Sequence, residues 1–142
     1  MRALSFVGEL ECSAVHDLWT ADMSLIPQTS GAYVLLAGPG TKFLYPKGSS
    51  AVFYIGQAVN LRKRLTQHRK YSQQAASGKN RQLALYYPRY EYAAAFGCRF
   101  VFIRTSPRQT PKRLEEAVLG LFAKRFRSFP IANGAGSWNE VD

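Results

Sequence analysis

The chain contains few cysteines and no long hydrophobic run. Its 142 residues include only Cys12 and Cys98, without a Cys-x-x-Cys pair, so we expect neither a zinc site nor a disulfide framework, and a reducing, cytoplasmic location. No stretch approaches the roughly 18 apolar residues of a transmembrane helix, and Met1–Gly8 lacks the apolar run of a secretory signal. A membrane partner is therefore not expected.

Acidic residues are also scarce. Nine aspartates and glutamates stand against 19 lysines and arginines, which gives a net charge of +10. Most of the basic residues lie in residues 62–127, where 16 lysines and arginines accompany three glutamates. Such a basic surface indicates a polyanionic partner, and nucleic acid is the commonest one. With 46% hydrophobic residues the chain has the composition of a globular protein, and its length predicts a single domain over residues 1–142.

Three short runs of residues predict the strands of a small sheet. The apolar runs 32–36 and 51–55 each follow a turn signal, and Gly56 is expected to end the second. Residues 98–105 alternate in the manner of a third strand, and residues 43–45 extend the sheet. We therefore expect an α/β domain of the α+β type, with a small, mainly antiparallel three-stranded sheet flanked by helices.

Helix signals occur in three places. Residues 11–19 predict a short helix. Asn60 is of the type that caps a helix N-terminus, and a basic helix is expected after it. Thr110 followed by Pro111 predicts the start of a last helix. Residues 72–80 are polar and predict a loop.

Several short motifs follow one another in a fixed order. Two tripeptides contain a glycine and a tyrosine, a capped basic helix follows the second tripeptide, and a later helix and a Pro-x-x-Asn sequence complete the series. Their residues are Gly31-Ala32-Tyr33, Tyr54-Ile55-Gly56, Arg64 with His68, Leu114-Glu115-Glu116, and Pro130-Ile131-Ala132-Asn133. Each motif alone is common, but in this order, over residues 31–133, they resemble the GIY-YIG nuclease family.

The resemblance implies a metal-dependent endonuclease with five catalytic residues. Tyr33 is similar to the family tyrosine that activates or orients the attacking water, and Tyr54 to the one that helps to hold water or phosphate. Arg64 is expected against the phosphate. His68, one helical turn later on the same face, is expected to share the role of base or to bind phosphate. Glu115 is expected to bind the metal ion, Mg²⁺ or Mn²⁺.

The residue types suit this chemistry. Phosphodiester hydrolysis needs a positioned water, a base, and stabilisation of the extra negative charge. Mg²⁺ takes oxygen ligands and keeps several waters, so one carboxylate together with the substrate phosphate suffices to hold it. The planar guanidinium of arginine pairs with two phosphate oxygens. Four further bases beside Arg64 are expected to bind nucleic acid: Arg62, Lys63, Arg69 and Lys70.

Two of the expected site residues have a rival nearby. At 100° per residue, Glu115 lies about 70° from the centre of the apolar stripe of its helix, and Glu116 lies nearly opposite that stripe. We therefore favour Glu115 as the metal ligand. Asn133 is expected to bind nucleic acid, but it lies farther from Glu115 than the resemblance implies, so Asn139 is kept as an alternative.

Other functions are compatible with the same residues. One is a catalytically inactive, nuclease-derived module that binds nucleic acid. Another is an interaction protein whose tyrosine-rich segment 81–92 docks a protein partner. For the nuclease, DNA is the favoured substrate. Target choice is expected to come from residues 1–30, 38–50 and 71–97, or from a homodimer or a protein partner.

Overall fold

The structure is a computed structural model that describes residues 2–133, with side chains from residue 4 onward. The fold is α+β, with helices on both faces of an antiparallel sheet. Its strands are β1 (His16–Asp17), β2 (Gly31–Leu36), β3 (Phe43–Tyr45), β4 (Gly48–Ser50), β5 (Val52–Ala58) and β6 (Arg99–Arg104). Its α-helices are α1 (Leu61–Ser77), α2 (Arg81–Tyr86), α3 (Pro88–Phe96) and α4 (Pro111–Phe126), and short 3₁₀ segments cover Arg2–Val7 and Met23–Leu25. No helix in this part of the chain is long and apolar enough to cross a membrane.

The main sheet has four strands in the order β1-β6-β2-β5, so the predicted three-stranded sheet is wrong by one strand. The additional strand, β1, lies within residues 11–19, which predict a helix. His16 pairs there with Phe100. The backbone N–H of Ser13 donates to the carbonyl oxygen of Phe102 at 2.9 Å, and the N–H of Phe102 donates to the Ser13 hydroxyl at 3.0 Å. These bonds satisfy the outer edge of β6, which a local helix would leave unpaired.

The sheet separates two hydrophobic clusters. In β2, the side chains of Ala32, Val34 and Leu36 pack with α4, whereas those of Tyr33 and Leu35 pack with α1. This alternation follows from the two-residue period of a strand. All of β2 is buried, because it lies between β5 and β6 with a helix on either face. Strands β3 and β4 form a separate hairpin, so the expectation that residues 43–45 extend the main sheet is wrong.

Both longer helices begin where the sequence predicts. The Asn60 side chain accepts the backbone N–H of Lys63 at 3.1 Å, and the Thr110 side chain accepts that of Arg113 at 3.1 Å. These bonds satisfy backbone donors that the first turn of a helix leaves without a partner. The two predicted helix starts are therefore confirmed.

Helix α1 is longer than predicted. It continues to Ser77, so the loop expected over residues 72–80 is wrong for the first part of that range. Ser72 is buried, and its hydroxyl accepts the indole N–H of Trp19 at 2.9 Å. The helix ends at Gly78, whose φ of +77° suits glycine. The hydrogen bond from Trp19, which is distant in sequence, thus stabilises a helical turn whose polar composition indicates a loop.

Candidate active site

Tyr33 and Gly56 face each other across the pair of strands β2 and β5. The phenol ring of Tyr33 lies so close over Gly56 that a Cβ atom there would collide with the ring and its hydroxyl. Gly31 is crowded in the same way, because a Cβ atom would meet the carbonyl of Ile103 and approach the Leu61 side chain to 2.7 Å. The glycines of both tripeptides are therefore required by packing. Since Gly56 is paired with Tyr33, β5 continues past its predicted end.

A bulge in β5 turns two consecutive aromatic side chains toward α1. The pairing between β2 and β5 shifts between Leu35 and Leu36, and Phe53 is the additional residue. As a result, Phe53 and Tyr54 both belong to the cluster on the α1 side of the sheet. The ring of Tyr54 lies 6.2 Å from the ring of Tyr33, measured between centroids. The bulge therefore places the tyrosines of both tripeptides on one face.

His68 lies between two phenols on the buried side of α1. Its Nε2 atom is 2.6 Å from the hydroxyl oxygen of Tyr33, and its Nδ1 atom is 2.8 Å from the hydroxyl oxygen of Tyr90. The ring of Tyr54 lies 6.5 Å away between centroids. Three of the five predicted catalytic residues therefore meet at one place.

Two arginines influence the charge state of His68. Burial, and then the positive charges of Arg89 and Arg64, lower the pKa of His68 well below its ordinary value. The imidazole is therefore neutral at pH 7, and one of its ring nitrogens donates while the other accepts. The effect of Arg64 on His68 also agrees with the four-residue spacing, which predicts that both project from one side of α1.

Helix α3 supplies two site residues that the sequence analysis missed, Arg89 and Tyr90. The guanidinium carbon of Arg89 lies 5.3 Å from the ring centre of Tyr54, 4.9 Å from that of Tyr87 and 5.0 Å from that of Tyr90. The positive charge of Arg89, and hydrogen bonding by its side chain, lower the pKa of the Tyr90 hydroxyl. Contacts with aromatic faces favour a buried guanidinium. Pro88 is typical of a helix start and is the signal that could have indicated α3. No local pattern indicates that Arg89 and Tyr90 are buried.

Tyr90 is a neutral phenol near pH 7. Burial raises its pKa, and the positive charges of Arg89 and Arg64 offset only part of this effect. The cluster thus combines neutral hydrogen-bonding groups with two permanent positive charges. Such an arrangement suits an anionic group such as a phosphate.

The tyrosine and histidine side chains of this cluster are covered by protein. Tyr33 is 0% exposed, Tyr54 is 3% exposed and His68 is 1% exposed. Helix α3 packs against both α1 and β5, and it carries Arg89 onto the ring of Tyr54. In this conformation a molecule outside the protein does not reach these side chains.

The predicted metal ligand lies on α4. Glu115 is half-buried beside the buried stripe of that helix and Glu116 is exposed, so the helical phase predicted for the two residues is confirmed. Helix α4 packs on the sheet face opposite to α1. Both helices begin at the same end of the sheet, because Thr29 accepts the first N–H of α1 and Ser30 accepts the N–H that follows β6.

The donor set around Glu115 fits some metal ions and not others. Within the part of the chain that the structure describes, no three histidines, cysteines, aspartates or glutamates form a group that could hold a metal ion. A single carboxylate fits Mg²⁺ or Mn²⁺, which take oxygen ligands and can draw the others from water and phosphate. It does not fit zinc, which takes three or four protein ligands.

Asn133 lies at the outer edge of β5 and is buried. Its Oδ1 atom accepts the backbone N–H of Ile55 at 2.8 Å, and its Nδ2 atom donates to the carbonyl oxygen of Ile55 at 2.9 Å. The neighbouring Ala132 donates its N–H to the carbonyl of Phe53 at 2.8 Å. Asn133 therefore holds the strand of the second tripeptide. Its contact with nucleic acid stays a prediction, and Asn139 lies outside the described residues.

Two of the other predicted nucleic-acid ligands lie in the first turn of α1. The Nε atom of Arg62 donates to the carbonyl oxygen of Ile26 at 2.8 Å, and its Nη2 atom donates to that of Ser24 at 3.0 Å. Arg62 thereby fixes the segment that precedes β2. Lys63 is exposed. Arg62 thus has a structural role in addition to any contact with nucleic acid.

The other two, Arg69 and Lys70, border a groove of about 490 Å³ along the second half of α1. The groove combines positive charges with hydroxyl and amide groups, and no carboxylate lines it. Its lining residues are Thr66, Arg69, Lys70, Gln73, Gln74, Ser77 and Lys79. Such a lining suits the phosphates of a nucleic-acid backbone.

The structure therefore brings Tyr33, Tyr54 and His68 together, with Arg64 one helical turn before His68, and places Glu115 on the helix across the sheet. The remaining basic residues lie along α1, outside this cluster. Comparisons of the chain with family models, with curated proteins and with solved structures find no match.

Proposed function

We propose that this protein is a metal-dependent nuclease of the GIY-YIG type that hydrolyses phosphodiester bonds, with DNA as its substrate. The observation that carries this conclusion is the meeting of Tyr33, Tyr54 and His68 in one cluster, with Arg64 one helical turn before His68 on α1. These residues come from three separate elements, and the family resemblance selects them from the sequence alone. Their convergence supports a shared chemical task.

The groups of the cluster match the needs of the reaction. Hydrolysis forms a bond from a water oxygen to phosphorus and breaks the bond to a sugar oxygen, which gains a proton as the water loses one. Negative charge builds up around the phosphate during this exchange. Arg64 stabilises that charge, because a guanidinium can pair with two oxygens at once. Tyr33 and Tyr54 orient the attacking water. Because burial and nearby arginines lower the pKa of His68, it holds an extra proton poorly, and its role is to orient the Tyr33 hydroxyl.

Glu115 is the residue that would hold the metal ion. Bound Mg²⁺ or Mn²⁺ supplies Lewis acidity toward the phosphate and the leaving oxygen. The carboxylate lies half-buried in the early part of α4, where the helix is fixed to the sheet by its apolar stripe. The position of this carboxylate is therefore determined by the packing of α4 on the sheet.

The proposed activity requires the cover of the cluster to open. With Tyr33, Tyr54 and His68 all at most 3% exposed, a phosphate touches them only after side chains around the cluster shift. Helix α2, which connects α3 to α1, has no buried residue. Helix α2 can therefore move with little loss of buried surface.

The burial of Tyr33, Tyr54 and His68 also favours a second candidate function. In a module that binds nucleic acid without cutting it, the buried tyrosines and histidine serve the core alone. Nucleic acid would then lie along the outer basic groove that Arg69, Lys70 and Lys79 border. Binding to that groove would depend steeply on salt concentration, since it would release counterions from the phosphates.

A cleavage assay distinguishes the two functions. Purified protein is incubated with labelled duplex, branched and single-stranded DNA and with RNA, in Mg²⁺ and in EDTA. The nuclease is expected to cut DNA in Mg²⁺ only, and the Tyr33→Phe variant, which keeps the ring over Gly56 but loses the hydroxyl, is expected to lose this activity. Salt-sensitive binding with no cleavage of any substrate supports the binding module. Undiminished cutting in EDTA contradicts the metal-dependent mechanism.

A further inference from the structure

His68 makes one hydrogen bond through each of its ring nitrogens, and the second partner comes from a helix that the family resemblance does not use. Tyr33, on β2, contacts Nε2 and Tyr90, on α3, contacts Nδ1. All three side chains are at least 96% buried, so water does not compete for these bonds. The hydrogen-bond partner at one ring nitrogen therefore determines whether the other ring nitrogen donates or accepts.

Only two proton arrangements satisfy a neutral imidazole between two phenols. Either Nδ1 carries the proton and Nε2 accepts from Tyr33, or Nε2 carries the proton and donates to Tyr33. Contacts in which a hydroxyl donates are shorter than those in which an N–H donates. The contact at Nε2 is the shorter, 2.6 Å against 2.8 Å at Nδ1. This difference favours donation by the Tyr33 hydroxyl to Nε2.

The surroundings of Tyr90 agree with this arrangement. The side chain of Arg89 hydrogen-bonds the Tyr90 hydroxyl, and a guanidinium can only donate. The oxygen of Tyr90 has two lone pairs, so it can accept from Arg89 and from the Nδ1–H group of His68 at the same time.

We propose that Tyr90 is a positioning residue that accepts the Nδ1–H bond of His68 and thereby keeps Nε2 as the acceptor for the Tyr33 hydroxyl. In this tautomer the Tyr33 proton points at His68, and the lone pairs of Tyr33 are directed elsewhere. Those lone pairs are what a water at the scissile phosphate would bond to, a catalytic meaning that rests on the proposed nuclease function. Helix α3 is then part of the site and not only its cover.

The tautomer can be measured directly. The chain has two histidines, so in ¹⁵N-labelled His16→Gln protein every imidazole signal belongs to His68. Two-bond ¹H–¹⁵N correlation spectra of the imidazole ring show which nitrogen carries the proton. We expect the proton on Nδ1 in the otherwise wild-type chain and on Nε2 after Tyr90→Phe, because the Phe ring offers no acceptor. A proton on Nε2 before the substitution overturns the proposal, and this holds whether or not the Tyr90→Phe variant folds.

Tyr92→Phe is the matched control. Tyr92 lies two residues further along α3, and its ring packs against Phe43, Phe53 and Phe96. We expect the Nδ1 proton to stay in place in this variant. If Tyr90→Phe also keeps the Nδ1 proton, or if Tyr92→Phe moves it equally, Tyr90 does not set the tautomer.

Cleavage kinetics provide the functional measurement. Tyr90→Phe is expected to lower kcat at least about tenfold, because it turns the Tyr33 hydroxyl away from the water, with KM nearly unchanged. Tyr92→Phe is expected to keep the wild-type kcat. A rise in KM alone would make Tyr90 a binding residue and contradict its positioning role. If the wild-type chain cuts no substrate, the proposed nuclease function fails, while the tautomer measurement still decides the role of Tyr90.

Discussion

The ring of Tyr33 lies directly over Gly56, its partner across the strand pair β2–β5. Each residue belongs to a different tripeptide, yet the two form one packing unit. The missing side chain at position 56 leaves the space that the phenol fills. The hydroxyl at the end of that phenol then reaches Nε2 of His68 at 2.6 Å. A requirement for glycine in one strand is thus explained by the position of a tyrosine in the next.

Gly56→Ala tests this relationship. The added methyl group would collide with the Tyr33 ring, so we expect a loss of about 1–3 kcal/mol in the free energy of unfolding, measured with urea. Cleavage is also expected to fall, because the Tyr33 hydroxyl is moved away from His68. Gly120→Ala is the control, since a Cβ there meets nothing within 4 Å and alanine favours its helix. Equal stabilities of the Gly56→Ala chain and the wild type would contradict the packing role.

The two neighbouring glutamates of α4 provide a second test. Glu115→Ala is expected to abolish Mg²⁺-dependent cleavage while DNA binding stays equal or becomes tighter, because an anion near a polyanion is removed. Glu116→Ala, at the exposed position, is expected to keep most of the activity. Single-turnover cleavage and a binding titration in EDTA measure the two effects separately. The reverse pattern would identify Glu116 as the metal ligand.

Two arginines of α1 have different proposed roles, Arg64 in catalysis and Arg69 in binding nucleic acid. Arg64→Ala is expected to lower the cleavage rate by about 10²–10³-fold, as for the loss of one group that stabilises the transition state. Arg64→Lys is not expected to restore the rate, because an ammonium lacks the bidentate geometry. Cleavage rates and affinities are compared for each variant.

Arg69 borders the outer groove, so Arg69→Ala is expected to weaken binding and to reduce the slope of log affinity against log salt by about one unit. If cleavage falls only as much as affinity in both arginine variants, then Arg64 is a surface contact. The binding module would in that case be the better description.

His68 makes the stability of the fold depend on pH. Burial, with the charges of Arg89 and Arg64, lowers the pKa of His68 in the folded chain, whereas the unfolded chain protonates this residue near its ordinary value of 6.5. The unfolded state therefore binds more protons in acid. Stability from this residue is complete above about pH 6.5 and falls as the pH drops below that value, with a slope of up to about 1.4 kcal/mol per pH unit.

Urea unfolding between about pH 5 and pH 8 measures this dependence. The His68→Gln chain is expected to lose that slope while its stability at the upper end of the range is also reduced. His16→Gln, which removes the half-exposed histidine of β1, controls for the loss of a histidine in general. An unchanged slope in His68→Gln would show that the imidazole is not held neutral by the fold.

Local physics explains which parts of the site the sequence could predict. The caps at Asn60 and Thr110 close their hydrogen bonds within one helical turn, so a few residues determine them. The half-buried position of Glu115 follows from the 100° step of a helix. Arg89 and Tyr90 are different, because they are polar residues whose burial depends on Tyr54 and His68, both distant in sequence.

The sheet also has parts that the local sequence predicts and parts that depend on distant residues. Strands β2 and β5 could be predicted from the local sequence, because each contains a short run of apolar residues. The two-residue strand β1 is too short to show any periodicity, and its place depends on the free edge of β6. The bulge at Phe53 depends on the register between two strands, which no single segment contains.

Both outer sides of the four-stranded sheet are occupied by short pieces of chain. Beside β6 lie the two residues of β1, and beside β5 the backbone of Ala132 and the amide of Asn133 bond to Phe53 and Ile55. An incoming strand from another molecule would find these donors and acceptors already used, which hinders polymerisation through the sheet. Shortening the chain to end before residue 130 would free the backbone groups of β5. The truncated protein is then expected to behave as a template for aggregation, which light scattering would detect.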